Sequence, residues 1–406
     1  MTANKTSFAG LLIGRGAQAG LFAQILRVLL RGIEYGRIVV RTPNGDPVEA
    51  SGKRPGPEAI VTLRNWRPVR RLLVSGDVGF AESYVDGDWD SPDLTAVIEL
   101  AARNLEVIEA RLGGVAPVRM LRRLSHLGNA NTGSGSRRNI AFHYDLGNAF
   151  YGHWLDWRMI YSSGIFDPPN LTLEQAQSKK VQRVLELLDL SGKETVLEIG
   201  CGWGALAESV AQRSARVTAV TLSLEQLAHV SKVVENAGLS GKAEVLLQDY
   251  REVGGAFDRV ASIEMLEAVG ERYWPAYFAT LRRTLVPGGT AILQAITIHQ
   301  DRFEGYRRGA DFIQTYVFPG GMLPTREIIF EQARRAGLEP TASEYFGLSY
   351  ALTLAEWRRR FNVAWPKIEA LGFTQMFRRL WNYYLSYCEA GFRAGTIDVG
   401  LYVLKG

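Results

Sequence analysis

Apolar and polar positions alternate along this chain in two distinct rhythms. From Leu173 to Leu188 the apolar residues recur at three- and four-residue spacing, as in an amphipathic helix, and Ser191-Gly192 closes it. Val196 to Ile199 is then a short unbroken apolar run, suited to a strand buried on both faces. The exchange repeats: helix over Ala205–Gln212, strand over Arg216–Val220, helix over Leu224–Asn236 behind Ser223 as N-cap, strand over Ala243–Leu247. A strand over Phe257–Ile263, a helix over Tyr273–Thr284, a turn at Pro287-Gly288-Gly289 and a strand over Thr290–Ile296 follow. Such alternation predicts an α/β fold with a doubly wound, parallel, Rossmann-like sheet. Its ligands belong at the C-terminal ends of the strands.

The residues before this stretch read differently. A helical start precedes strand-like alternation at Gly36–Arg41 and Ala59–Leu63, and Thr95–Leu112 has helical spacing. A smaller N-terminal α+β domain is therefore expected over 1–127. Gly128-Asn-Ala-Asn-Thr-Gly-Ser-Gly-Ser136 has the composition of a linker. It sets a boundary at 128–137 and leaves 138–406 for the larger domain.

Charge separates the two parts further. The formal net charge is +5; residues 1–137 hold 18 basic and 13 acidic residues, and the remainder holds 29 of each. A basic, partly apolar first domain favours anionic surfaces. No recognised nucleic-acid motif accompanies it, so the expected partner is a membrane surface, met peripherally, and not a nucleic acid. No apolar run approaches a membrane span, and the interrupted apolar stretches near the start resemble neither a secretory signal nor a transit peptide. A cytoplasmic protein at the inner face of the membrane is the corresponding expectation, and a homodimer is compatible with it. Cys201 and Cys388 are the only cysteines, so no disulfide framework or metal site is expected.

The turn after the first strand of the larger domain carries the first chemistry. Glu198-Ile-Gly-Cys-Gly-Trp-Gly204 is a G-x-G-x-G loop, not the G-x-G-x-x-G of dinucleotide sites. Gly200 and Gly202 let a ligand approach the bare backbone. A carboxylate at Glu198 repels a pyrophosphate and suits a ligand bearing an ammonium or sulfonium, which describes S-adenosylmethionine. The second strand ends in Thr221-Leu222 without an acid, so Thr221 and Gln226 are left to hold a ribose by neutral hydrogen bonds. Gln248-Asp249-Tyr250, at the end of the third strand, offers an amide, a carboxylate and a ring to an adenine; the lesser alternative for Asp249 is a simple helix N-cap. Glu264 and Glu267 follow the fourth strand three residues apart; on a helix they share a face and form a candidate acid/base pair.

His143-Tyr-Asp-Leu-Gly-Asn148, Tyr161-Ser162, Leu197–Gly204, Leu247-Gln-Asp-Tyr-Arg251 and Phe312–Gly321, with the C-terminal pattern Trp357, Phe361 and Phe392, resemble the cyclopropane-fatty-acid synthase and mycolic-acid methyltransferase family. Tyr84–Trp89 is similar to that family's additional N-terminal lipid-handling domain. The resemblance implies a class I methyltransferase sheet that binds S-adenosylmethionine through Tyr161, Ser162, Gly200, Gly202, Thr221, Leu222, Gln226, Asp249 and Ile263, with Tyr250 adjoining. It implies the double bond of an unsaturated acyl chain, carried on a phospholipid, as nucleophile. Tyr144, Phe166, Phe312, Tyr316 and Tyr350 are candidates to line the substrate pocket.

The departures from the family pattern carry the finer expectation. Cyclopropane synthases hold bicarbonate as base with a cysteine, a glutamate, a histidine and a tyrosine. Glu267 and Tyr350 match two of these, but Ser163 stands for the cysteine, Gln294 for the histidine, and Ala268 for the histidine that usually follows the glutamate. Glu264 occupies a position the family usually gives to a small residue. A carboxylate there repels bicarbonate, which leaves bicarbonate binding open and makes Glu264 a candidate built-in base. Proton removal from the transferred methyl gives a cyclopropane; removal elsewhere gives a methyl-branched or methylene product. Two alternatives stand beside this reading: methylation of a soluble small molecule, and a catalytically silent lipid-binding protein.

Overall fold

The computed structural model describes residues 15–113, 146–213 and 215–406. The chain falls into two compact units, 1–123 and 124–406. The linker composition at 128–137 and the motif residues His143 and Tyr144 lie outside the described residues. Among the described residues no helix is long and apolar enough to cross a membrane.

The first unit holds a four-stranded sheet in the order β2-β1-β3-β4, with β1 at Tyr35–Arg41, β2 at Pro47–Ser51, β3 at Arg54–Leu63 and β4 at Trp89–Asp90. β1 pairs antiparallel with β2 and parallel with β3. The single helix expected over Thr95–Leu112 is two, Leu94–Arg103 and Leu105–Gly113. Asn104 is the reason. Its buried side chain accepts from the Glu34 and Tyr35 backbone N–H groups at 2.7 and 3.1 Å and donates to the Tyr35 and Leu100 carbonyls at 3.0 and 2.8 Å. The amide thus leaves the helix geometry to pin the start of β1.

The second unit is built on a seven-stranded sheet in the order β10-β11-β9-β8-β5-β6-β7. Its strands are β5 (Thr195–Ile199), β6 (Arg216–Thr221), β7 (Ala243–Leu247), β8 (Phe257–Ile263), β9 (Leu285–Ile298), β10 (Glu339–Tyr345) and β11 (Ile397–Lys405). The first five run parallel as expected. The sheet as a whole is not parallel: β11 is antiparallel to β9, and β10 to β11. β11 is buried over most of its length and closes the β9 edge, which an all-parallel reading leaves bare. Pro287-Gly288-Gly289 lies inside β9, where Gly288 takes φ 76° and the β8–β9 register slips.

The intervening helices form where the apolar spacing places them, and two caps explain their starts. Thr172 makes a capping box with Gln175 at the head of Leu173–Leu188, and the Ser223 side chain accepts from the Gln226 N–H at the head of Leu224–Asn236. Two long helices, Gly347–Ala370 and Gln375–Arg393, pack against each other. They carry the aromatic residues Tyr350, Trp357, Trp381 and Tyr384 into the interior. Replacement of Asn104 by alanine is expected to destabilise the first unit by about 2–4 kcal/mol, because two buried backbone donors lose their acceptor. Urea unfolding followed by fluorescence measures it.

Candidate active site

The glycine loop leaves β5 at Ile199 and turns through Gly200 and Gly204 at φ 79° and 88°. The two glycines are also required by packing. A Cβ on Gly200 would lie 2.3 Å from Met265 Sδ, and one on Gly204 would lie 2.6 Å from Val230 Cγ1. At Gly202 nothing lies within 4 Å of the Cβ position, so that stretch of backbone faces open space. Trp203 anchors the loop by donating from its indole to Asn148 Oδ1 at 2.8 Å.

Glu198 is buried at the end of β5, and its Oε2 has no hydrogen-bond partner among the described residues. Burial pushes its carboxyl up to about 8 despite the opposing Lys180 charge. Thr221 is buried at the end of β6 with Leu222 beside it, and its hydroxyl donates to Gln226 Oε1 at 2.7 Å. Asp249 serves as the cap of the turn Tyr250–Glu252 and is ion-paired with Arg251 at 2.5 Å. Tyr250 packs edge-on to Tyr277 at 5.6 Å within the core cluster, and Ile263 ends β8. Tyr161 pairs its hydroxyl with Tyr384 at 2.8 Å among the rings of Tyr151, Trp154 and Trp357. Ser162 is held by Gln177, which donates to its carbonyl at 2.7 Å, and by Lys180, which donates to its hydroxyl at 2.9 Å. An open backbone at Gly202 with an unpartnered Oε2 at Glu198 fits a cationic nucleoside ligand such as S-adenosylmethionine.

Glu264 and Glu267 do not share a helical face. Glu264 has φ 51°, and the one-turn helix Leu266–Val269 begins after it. A left-handed glutamate costs about 1–2 kcal/mol of backbone energy, and three donors surround the carboxylate so placed. Its Oε1 accepts from the Ser163 backbone N–H at 2.9 Å and from Gln294 Nε2 at 2.7 Å. Its Oε2 accepts from the Tyr350 hydroxyl at 2.6 Å. Glu264 N–H donates in turn to the Gln294 carbonyl at 2.8 Å, so the register of β8 on β9 sets the side-chain pair. Ser163 acts through its backbone; its hydroxyl donates to the Gly164 carbonyl at 2.9 Å. The residues standing at the cysteine, histidine and tyrosine positions thus converge on Glu264.

The two glutamates differ in electrostatics. Burial raises Glu264 above the ordinary glutamate range, opposed by Tyr350, the Ser163 N–H, the Lys180 charge and Gln294. Burial and the neighbouring Glu264 charge push Glu267 up to about 8; the Ile296 backbone N–H meets its Oε1, and Oε2 has no partner among the described residues. The two carboxyls thus differ in their support: four groups oppose the effect of burial at Glu264, whereas at Glu267 only backbone N–H groups do. Phe166 donates its N–H to the hydroxyl of Ser349, the residue before Tyr350, and the Phe312 ring meets Tyr316 and Tyr383 at tilted angles, 5.5 and 4.7 Å between centroids.

Sequence reasoning did not single out Lys180 or Tyr384. Lys180 left a signal: it falls on the apolar stripe of Leu173–Leu188, between Ala176 and Val184, and is buried. Tyr384 left none beyond its place in an aromatic-rich helix.

A central parallel sheet, a G-x-G-x-G loop after its first strand and an acid after its third define a class I S-adenosylmethionine-dependent methyltransferase. Comparison with known proteins names the family within that class. Residues 133–401 match the family described as mycolic acid cyclopropane synthetase. The chain is 37% identical over 396 residues to the tuberculostearic acid methyltransferase UfaA1 of Mycobacterium tuberculosis, covering 95% of this chain and 92% of that one. It is 33% identical to the cyclopropane-fatty-acyl-phospholipid synthase of Escherichia coli, covering 84% and 86%. The crystal structure of the mycolic acid cyclopropane synthase CmaA1 complexed with SAH and CTAB superposes with a TM-score of 0.62 at 31% identity, covering 66% of this chain and 98% of that one. The chain belongs to the cyclopropane synthase family, and S-adenosylmethionine is its methyl donor.

Tyr350→Phe removes a donor from Glu264 Oε2, so its carboxyl is expected to hold its proton to still higher pH. Infrared titration of isotope-labelled glutamate, with Glu264→Gln identifying the band, measures the change. An unmoved band would contradict the hydrogen bond as the support of the charge.

Proposed function

We propose that this protein methylates the double bond of unsaturated acyl chains carried on phospholipids, and that the Glu264 carboxylate is its general base. The observation that carries the reading is the seat of that carboxylate on the Ser163 N–H, Gln294 and Tyr350. In the family resemblance, the same three positions serve a bound bicarbonate. With the carboxylate bonded there, a second anion meets charge repulsion in a low-dielectric site. The names of the relatives, a fatty-acid methyltransferase and a fatty-acyl-phospholipid synthase, support an acyl chain as substrate.

Bound S-adenosylmethionine supplies an electrophilic methyl group; the residues around it supply orientation and a proton acceptor. Glu198, Gly202, Thr221, Gln226 and Asp249, at the C-terminal ends of β5, β6 and β7, would hold it together with Tyr161 and Ser162. As the alkene attacks the methyl, a C–C bond forms and the C–S bond breaks, leaving positive charge on the neighbouring chain carbon. The aromatic wall of Tyr161, Trp357 and Tyr350 and the charge on Glu264 stabilise that cation and keep water from it. Glu264 then accepts a proton. Taken from the transferred methyl, it closes a ring; taken from an adjoining chain carbon, it leaves a methyl-branched alkene. A 1,2-hydride shift that moves the charge onto the methylated carbon, followed by removal of a proton from the transferred methyl, leaves a methylene branch. A base fixed by three hydrogen bonds cannot move along the chain as a free ion can, and we assign the branched or methylene outcome to this enzyme.

Glu264→Gln is expected to lower kcat by roughly 10²–10⁴-fold with little change in S-adenosylmethionine affinity by calorimetry. Wild-type enzyme in bicarbonate-depleted buffer is expected to keep its rate. Mass spectrometry of the fatty acids released from treated vesicles, before and after ozonolysis, separates an alkene product from a ring. A bicarbonate requirement would sink the assignment of Glu264.

The first unit offers a surface for the vesicle. In the helix Arg15–Leu30, Leu21 and Val28 are about half exposed and seven residues apart, on one stripe with Arg27 close by and Arg31 just beyond its end. An apolar stripe flanked by arginines fits an anionic interface. The double variant Leu21→Asp, Val28→Asp is expected to release the protein from anionic vesicles in co-sedimentation and leave S-adenosylmethionine binding intact.

A further inference from the structure

Lys180 is a buried ammonium, and the fold has no evident need of it. It lies on the apolar stripe of the helix Leu173–Leu188, and among the described residues its one hydrogen bond is to Ser162 Oγ at 2.9 Å. A serine hydroxyl alone does not require a charged partner. Burying an ammonium carries a desolvation penalty of several kcal/mol, so a neutral side chain of similar shape is ordinarily the more stable choice.

Its electrostatic surroundings explain it. Three carboxylates from three separate segments act on it: Glu264 after β8, Glu198 at the end of β5, and Asp156 in the loop before Tyr161. Asp156 is committed to the Ile160 and Arg158 backbone N–H groups at 2.8 and 3.1 Å. Glu198 is driven towards its neutral form by burial. The remaining cation near the group, Arg158, is tied to Ser209 at 2.7 Å and Glu208 at 3.4 Å. Geometry singles out Glu264: Ser162, which Lys180 holds, is followed by Ser163, whose N–H donates to Glu264 Oε1 at 2.9 Å, so the ammonium is tied to the seat of that carboxylate.

We propose that Lys180 is a positioning residue for the reaction: its buried ammonium favours negative charge on Glu264 while its hydrogen bond holds Ser162, the neighbour of the Ser163 N–H on which Glu264 sits. The proposal rests on the reading of Glu264 as base. Burial lowers Lys180 only to about 8, so the ammonium is the prevailing form at neutral pH. The role has two separable parts, charge and hydrogen bond. Lys180→Met removes both, whereas Lys180→Gln removes the charge and keeps an amide donor for Ser162.

The test compares the pH profile of kcat, the KM for S-adenosylmethionine, the melting temperature and the infrared band of the Glu264 carboxyl in wild type and both variants. Both variants are expected to melt near or above the wild-type temperature. Both should show the acid limb of kcat displaced to higher pH, with kcat at neutral pH down roughly tenfold or more. A protonated Glu264 band should appear at a pH where wild type shows none. Lys180→Met is expected to raise KM more than Lys180→Gln does. A uniform loss of kcat with an unmoved limb and band overturns the proposal. Failure of both variants to fold overturns it too, since a charge kept for chemistry is dispensable to the fold. The base reading fails separately, if Glu264→Gln retains turnover; the infrared titration of Glu264 in the variants still reports on Lys180.

Discussion

The Glu264 carboxylate organises the site because it is where segments distant in sequence are made to meet. Ser163 comes from the loop after Tyr161, Gln294 from β9 and Tyr350 from the first turn of a helix that begins at Gly347. Each gives one hydrogen bond to the same anion, and charge-assisted bonds in a dry site are among the stronger polar contacts a protein makes. To receive them Glu264 takes a backbone conformation that an L-residue ordinarily avoids. Strain retained at a residue so fully bonded is a mark of a site shaped for chemistry.

The glycine loop and Glu264 are also one packing unit. Met265, the residue after Glu264, fills the space above Gly200 so closely that a methyl group there would overlap its sulfur. Movement of the glycine loop is therefore felt at Glu264. The Gln294 carbonyl and Glu264 N–H tie that residue to the sheet register. The geometry of the site is thus set by backbone and packing more than by any mobile side chain.

Charge in the site is sparing. Three glutamates lie within the region; burial leaves Glu198 and Glu267 each at about 8 and each with one oxygen unpartnered among the described residues, whereas donors meet both oxygens of Glu264. Environment, not residue type, separates the roles of identical side chains. The aromatic walls of Tyr161, Trp357 and Tyr350 serve the same economy: their faces favour positive charge without adding a fixed anion beside Glu264.

Much of this was legible in the linear chain. Apolar spacing located the five parallel strands and their helices, because burial on both faces of a parallel sheet writes continuous apolar runs. The glycine loop was legible because few side chains tolerate its turns. Family resemblance pointed to Glu264, Gln294, Ser163 and Tyr350 as an altered anion site. The antiparallel edge made by β10 and β11 was not legible, since pairing between strands some 50 residues apart leaves no local period. Nor was the break at Asn104, where a long-range hydrogen-bond set overrides helical propensity. That Glu264 and Glu267 part company, one carboxylate surrounded by donors and the other nearly bare, also required the fold. The sequence by itself determined which residues are buried and where the backbone must turn, because those follow from local chemistry. Only the tertiary structure decided which buried carboxylate is met by donors on both oxygens, because those donors are brought by folding from distant parts of the chain.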